Sequence, residues 1–298
     1  MQLSSISLAI TRIGRVAGFS PLSLFSSSEQ GVWYDPSDLS TMFQDSAGTT
    51  PVTAAGQTVG LVLDKSKGLV LGSEIVVNGN MNSATGWNIG AEWEISGGQA
   101  TFTGAGSYTG IGQPTVIPEG KVLKVSVDII SISGGASLRF GLGGTFLANP
   151  NYTTIGTKTF YYSNPTGEKY SWAFDANGGG AGKSIVIDNV TIQYVAGNHA
   201  TQATASKRPQ YQTDGTYHWL QRDGVDDELV TTFQSSLGSS CTVGKELYPS
   251  NTTSILTAQT IGTSYTDTQS SYQVVITNDA LTGQETTDLT AYLGAKSP

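Results

Sequence analysis

Glycine concentrates in one block of this chain: residues 67–196 hold 23 of its 37 glycines, while the other 168 positions hold 14. Such density disfavours long helices, where each glycine costs about 1 kcal/mol relative to alanine, and suits short strands joined by tight turns. The same block carries the clearest period-2 patterning. In residues 121–129 the apolar Leu123, Val125, Val127 and Ile129 alternate with Lys124, Ser126 and Asp128, the pattern of a strand wet on one face. Residues 184–194 predict two more short strands around an Asp188-Asn189 turn, and residues 99–103 predict another after Gly97-Gly98. Strands at this spacing imply a β-sandwich.

The flanks read differently. Residues 31–37 predict a strand stopped by Pro36, and Ser271–Thr277 a buried strand. A short C-terminal helix follows at about 283–293: Thr282 and Glu285 have capping-box spacing, Leu289, Tyr292 and Leu293 form an apolar stripe, and Gly294 is placed to end it. In the first 28 residues Leu3, Ile6, Ile10 and Ile13 share one helical face beside Arg12 and Arg15. This segment is too short and Ser-rich to hold a helix alone, so it is expected either to dock on a partner or to fray.

At 298 residues the chain exceeds one ordinary core, and about two compact units are expected. The net charge of −8 is uneven: residues 1–28 carry +2, 29–66 carry −4, 67–196 carry −1 and 197–298 carry −5. An acidic body argues against nucleic-acid binding, which needs clustered Lys and Arg. Cys241 is the single cysteine, so no intrachain disulfide forms, as suits a protein assembled in a reducing cytosol. Arg12 and Arg15 interrupt the apolar N-terminal stretch, and neither a signal peptide nor membrane insertion is expected.

The residues that carry chemistry elsewhere have plain structural readings here. His199 sits in a turn-like string and His218 between Tyr217 and Trp219, with no nucleophile elbow to serve. Glu92 and Glu94 alternate around Trp93, so both carboxylates are expected on one strand face; that spacing is also common on solvated strands. Gly178–Ser184 ends like a phosphate loop but leads into a strand, which predicts a hairpin. No catalytic residue and no cofactor is assigned. Asp223, Asp226 and Asp227 are weak candidates for a hard cation, an Asp-Gly turn explaining them equally well. For glycan binding, aromatic faces with adjacent amides single out Tyr108, Phe146, Asn149, Asn151, Tyr152 and Trp172; Trp87 and Trp93 are expected in the core.

One resemblance orders these readings. The stretch 31–52, opening Gly31-Val32-Trp33-Tyr34-Asp35-Pro36-Ser37, with Asp64-Lys65-Ser66, Gly197-Asn198-His199-Ala200-Thr201, Arg208-Pro209, Asp223–Asp227 and 280–293, resembles a family of tailed-phage and prophage virion proteins with a concanavalin-like framework. In that family the Asp-Lys-Ser turn runs within a few residues into Gly-Asn-His-Ala-Thr, whereas here 130 positions intervene, which implies an insertion. The inserted block, with Val77-Asn78-Gly79-Asn80-Met81 and Gly86-Trp87, resembles carbohydrate-binding-like jelly-roll modules of phage tail and fibre proteins.

The expected architecture is therefore all-β: residues 1–30 as an N-terminal docking arm, 31–66 plus 197–298 as a second, smaller β framework, and 67–196 as an inserted β-sandwich. Between Asp227 and Tyr272 the framework offers too few residues for a full lectin sandwich, which predicts truncation or completion by neighbouring chains. The resemblance implies a virion structural protein of tail-fibre, baseplate or head-decoration type. Its expected partners are other virion proteins of tail, baseplate, collar or capsid, copies of itself in a homo-oligomer such as a trimer, and host-surface polysaccharide. A receptor-binding adhesin and a polysaccharide depolymerase are the alternatives.

Overall fold

The computed structural model describes residues 18–25, 30–104, 110–164, 167–177 and 181–298, without the side chains of 147–150. The proposed arm residues Leu3, Ile6, Ile10, Arg12, Ile13 and Arg15 lie outside it, as do Tyr108, the Asn149 side chain and residues 178–180. Among the described residues the protein is all-β with one C-terminal helix, Gly283–Gly294, and short 3-10 turns.

Among the described residues, hydrogen bonding sorts the strands into four antiparallel sheets, and no ladder joins strands of 71–195 to strands outside that range. Within 71–195, one sheet runs Thr145–Tyr152, Ser137–Leu142, Lys169–Asn177, Gly110–Ile117, Asn88–Ile89. The other runs Gly156–Ser163, Val122–Ser133, Lys183–Val195, Gln99–Gly104, Trp93–Ser96, with Leu71–Glu74 also on Lys183–Val195. The alternation in 121–129 does what it predicts: Leu123, Val125, Val127 and Ile129 are buried against Phe102, Phe140, Trp172 and Phe174 between the sheets. Residues 184–194 form one strand rather than two. Asn189, at φ +49°, makes a bulge, and the register against Val122–Ser133 resumes beyond it because Asn189 Nδ2 donates to Asp128 Oδ2 across the ladder (2.9 Å).

The flanking segments also make two layers. Ser271–Thr277 lies centrally in one sheet, paired to Gly238–Leu247 on one side and to both Gly31–Tyr34 and His218–Gln221 on the other. Met42–Phe43, Leu61–Val62, Ala200–Thr201, Leu229–Thr232 and Ser264–Asp267 form the facing sheet. Val32, Tyr34, Val62, Tyr211, Val243 and Ile276 pack between them, so the framework encloses its own core rather than being truncated. The sequence count understated it because Gly238–Leu247 and Thr252–Ile261 are ten-residue strands and most of the facing sheet uses strands of two to four residues.

The helix covers the outer face of the first framework sheet through Leu289 and Leu293 on Trp33 and Val275. Its capping box is formed in full: Thr282 Oγ1 accepts from Glu285 N, and Glu285 Oε2 accepts from Thr282 N (2.8 Å). Gly294 is the last helical residue, as its position predicts; the chain leaves at Ala295, held by Ser297 Oγ donating to buried Glu246 (2.8 Å).

Candidate functional site

Two places in the fold gather residues that the sequence singled out. The first is where the chain leaves and re-enters the framework. Asp64 is fully buried, and its carboxylate accepts from Trp33 N (2.8 Å), Ser66 N (2.8 Å), Ser66 Oγ (2.7 Å) and Asn198 N (2.7 Å). Asp64 N in turn donates to His199 Nδ1 (3.0 Å), and His199 Nε2 donates to Val195 O (3.2 Å), which fixes the tautomer. Asn198 Nδ2 donates to Gly31 O (3.0 Å), and Tyr34 Oη reaches Asn198 O (2.6 Å). Gly197 has φ +128°, and a Cβ there would stand 2.9 Å from Asp64 Oδ2, so glycine is required.

Burial pushes the Asp64 carboxyl up to about 6 despite its four donors, and burial pushes His199 down to about 4, with Lys121 adding repulsion. Immediately beyond this clamp, Leu71–Glu74 pairs antiparallel with the end of Lys183–Val195, and Ala196 N donates to Val70 O (2.9 Å). The two ends of the 67–196 block therefore run side by side. Phe43, Leu61 and Leu63 of the framework pack against Val122, Val195 and Tyr161 at the same place, the Phe43 and Tyr161 rings 5.3 Å apart.

The second place is the outer face of the sheet containing Lys169–Asn177. The ladder sets Gly141 opposite both Ala173 and Phe146, and Arg139 opposite both Asp175 and Asn151, so these side chains share one face. Phe146 lies over the backbone: a Cβ on Gly141 would be 2.7 Å from its ring, and one on Gly110 would be 3.7 Å away. Arg139 stands 5.7 Å from the same ring and pairs with the buried Asp175. A half-buried aromatic ring on a floor of Gly110, Gly141 and Ala173, flanked by an ion pair and the exposed Asn151, offers an apolar platform beside polar groups.

Of the glycan candidates, Phe146 and Asn151 reach this face. Trp172 does not: it is 1% exposed, edge-on to Trp87 at 5.4 Å, because an inward strand position in a sandwich fills the core. Tyr152 sits opposite Leu138, points to the other side and packs on Phe160 at 5.6 Å. Arg139 and Asp175 were missed; the opposite charges at matching places in two alternating strands were the available signal, but pairing them needs the register.

The remaining candidates are placed as follows. Asp223 Oδ1 accepts from Val225 N (2.8 Å) and Asp226 N (3.3 Å), so it caps its own turn. The Asp223, Asp226 and Asp227 carboxylates cluster on the surface, and burial together with its acidic neighbours raises Asp227. Glu92 and Glu94 do not share a strand face: Glu92 lies in the preceding turn at φ +71°, and only Glu94 is in Trp93–Ser96. Trp87 and Trp93 are core residues. His218 Nδ1 bonds to Tyr211 Oη (2.6 Å) at the start of its strand.

No protein-family model and no curated protein matches the chain. Solved structures that it resembles include the CBM22-1 xylan-binding domain of Xyn10C from Paenibacillus barcinonensis, at 14% identity over 42% of this chain and 96% of that one, TM-score 0.32. Others are a cyclase from Fischerella sp. TAU (15% identity, 56% and 85% covered, TM-score 0.27) and the adhesin domain of Epf from Streptococcus pyogenes (8% identity, 81% and 86% covered, TM-score 0.26). Scores this low carry no argument about activity. By its own sheets and cores the chain is an all-β protein of two sandwiches.

Proposed function

We propose that this protein is a non-catalytic structural component of a tailed-bacteriophage particle, in which residues 31–66 plus 197–298 are the framework and 67–196 is a guest sandwich displayed from it. The observation that carries this reading is the clamp at Asp64. The strings quoted for the resemblance, Gly31–Tyr34, Asp64–Ser66 and Gly197–His199, are far apart in sequence, yet they close on a single buried carboxylate. The guest enters and leaves at that point through paired strands, the arrangement in which an insertion disturbs its host least. Residues 1–30 dock the chain on neighbouring virion proteins, and the assembled form is a homo-oligomer such as a trimer. Mass spectrometry of gradient-purified particles from an induced or infected host tests this directly. Stoichiometric presence supports it; absence from the particles rejects it.

A second element of the reading is recognition of host-surface polysaccharide by the guest, favoured by the Phe146 platform with Arg139, Asp175 and Asn151. Purified protein is expected to bind capsule or lipopolysaccharide fragments on a glycan array without shortening them, and Phe146→Ala is expected to abolish that binding. Release of reducing ends would favour the depolymerase alternative.

A further inference from the structure

The framework carries a concavity that neither the clamp nor the guest platform uses. Gly31–Tyr34 and His218–Gln221 both flank the same edge of Ser271–Thr277, the first against Val274–Thr277 and the second at Ser271, which leaves a gap in the edge opposite Tyr272 and Gln273. A cavity of about 330 Å³ fills this gap, lined by Ser37, Tyr217, His218, Tyr272, Gln273 and Lys296 among others. The Tyr217 and Tyr272 rings meet nearly at right angles (81°, centroids 6.5 Å), and Trp219 and Tyr248, stacked at 4.6 Å, buttress Tyr272 from behind.

The polar groups here are biased toward donors. Gln273 is committed, its Nε2 donating to Asp35 Oδ1 (2.6 Å) and its Oε1 accepting from Trp33 Nε1 (3.4 Å). Tyr272 Oη donates to Asn251 Oδ1 (2.9 Å). His218 Nδ1 is committed to Tyr211 Oη (2.6 Å). Tyr217 Oη and Lys296 Nζ have no hydrogen-bond acceptor among the described residues; Lys296 Nζ overlies the Tyr292 ring at 4.7 Å, and its charge helps hold the Asp35 carboxyl below the usual range. Neighbouring carboxylates are already satisfied: Asp35 and Asp38 by Lys65 (3.0 and 2.9 Å), and Asp214 by the amides of Thr216 and Tyr217. The Tyr217 ring, its phenol and an ammonium with no hydrogen-bond acceptor match a ligand that is flat on one side and anionic on the other.

We propose that this gap is a second, independent ligand site that takes one carboxylate-bearing sugar residue, a uronic acid, with its ring against Tyr217 and its carboxylate on Lys296. It does not depend on the guest platform.

Saturation-transfer NMR on the full chain with methyl glucuronide and methyl galacturonide, against the corresponding neutral methyl glycosides and acetate, tests it. The acidic glycosides are expected to receive saturation and to be displaced by neither the neutral glycosides nor acetate. Lys296→Gln, at a half-buried position that leaves the fold intact, is expected to weaken the acidic ligands about tenfold, the loss of one charge-assisted hydrogen bond. Tyr217→Phe tests the phenol without removing the ring and is expected to weaken them as well, whereas Phe146→Ala leaves them unchanged. Equal binding of neutral sugars, equal binding of acetate, or full acidic-sugar binding by Lys296→Gln overturns the proposal. Loss of binding in Phe146→Ala would also overturn it, by moving the acidic sugar to the guest platform.

Discussion

Asp64 and His199 are held in opposite protonation preferences by the same burial. The carboxyl sits near 6, above its unfolded value, so its contribution to stability is complete below about pH 4 and is lost as pH rises through about 6. His199 sits near 4, below its unfolded value, so its contribution is complete above about pH 6.5 and is lost as pH falls toward 4. The two slopes oppose each other between pH 4 and 6. Asp64→Asn should therefore leave the histidine slope alone, and its melting temperature should fall more steeply than wild type between pH 6.5 and 4.5. His199→Gln should lean the other way, gaining relative stability as pH falls. Calorimetry of the three proteins checks this, and parallel curves would refute it. At the neighbouring position, Gly197→Ala forces a Cβ onto Asp64 at positive φ and should cost about 1–3 kcal/mol in urea unfolding.

At the scale of elements, the helix and the strand Lys169–Asn177 make separable predictions. Thr282→Ala removes the capping hydroxyl and should cost about 1 kcal/mol, while Leu289→Ala, fully buried on the framework sheet, should cost about 2–5 kcal/mol. Within one sheet, Trp172 and Phe146 should behave as opposites. Trp172→Ala opens the sandwich core and should cost about 3–5 kcal/mol, whereas Phe146→Ala should leave the melting temperature within about a degree or two and remove polysaccharide binding. Thermal melts and glycan arrays on the same preparations separate the two. Both residues were legible as aromatic candidates; which face each takes was not, because strand alternation gives a relative side and only the sheet pairing shows which side is the core.

For the whole molecule, the separation of sheets and cores implies that residues 67–196 fold when excised. The excised block loses the packing of Val122, Val195 and Tyr161 on Phe43, Leu61 and Leu63, so it should give dispersed amide resonances with a lower melting temperature than in the full chain. A collapsed spectrum would show that the clamp is needed to fold it.

The sequence by itself determined the all-β class, the glycine-rich block, the alternating strands and the capped helix, because those depend on spacing within a few residues. It also marked Asp64, Ser66, Asn198 and His199 as belonging together, through the resemblance of their strings. Only the tertiary structure decided that they meet on one carboxylate, that the framework encloses its own core, that Arg139 and Asp175 flank Phe146, and that Tyr217, Tyr272 and Lys296 line one gap. Each of these joins positions brought together by strand register or by packing of distant segments, and the energy that selects a register is summed over the whole buried face rather than written in any local stretch.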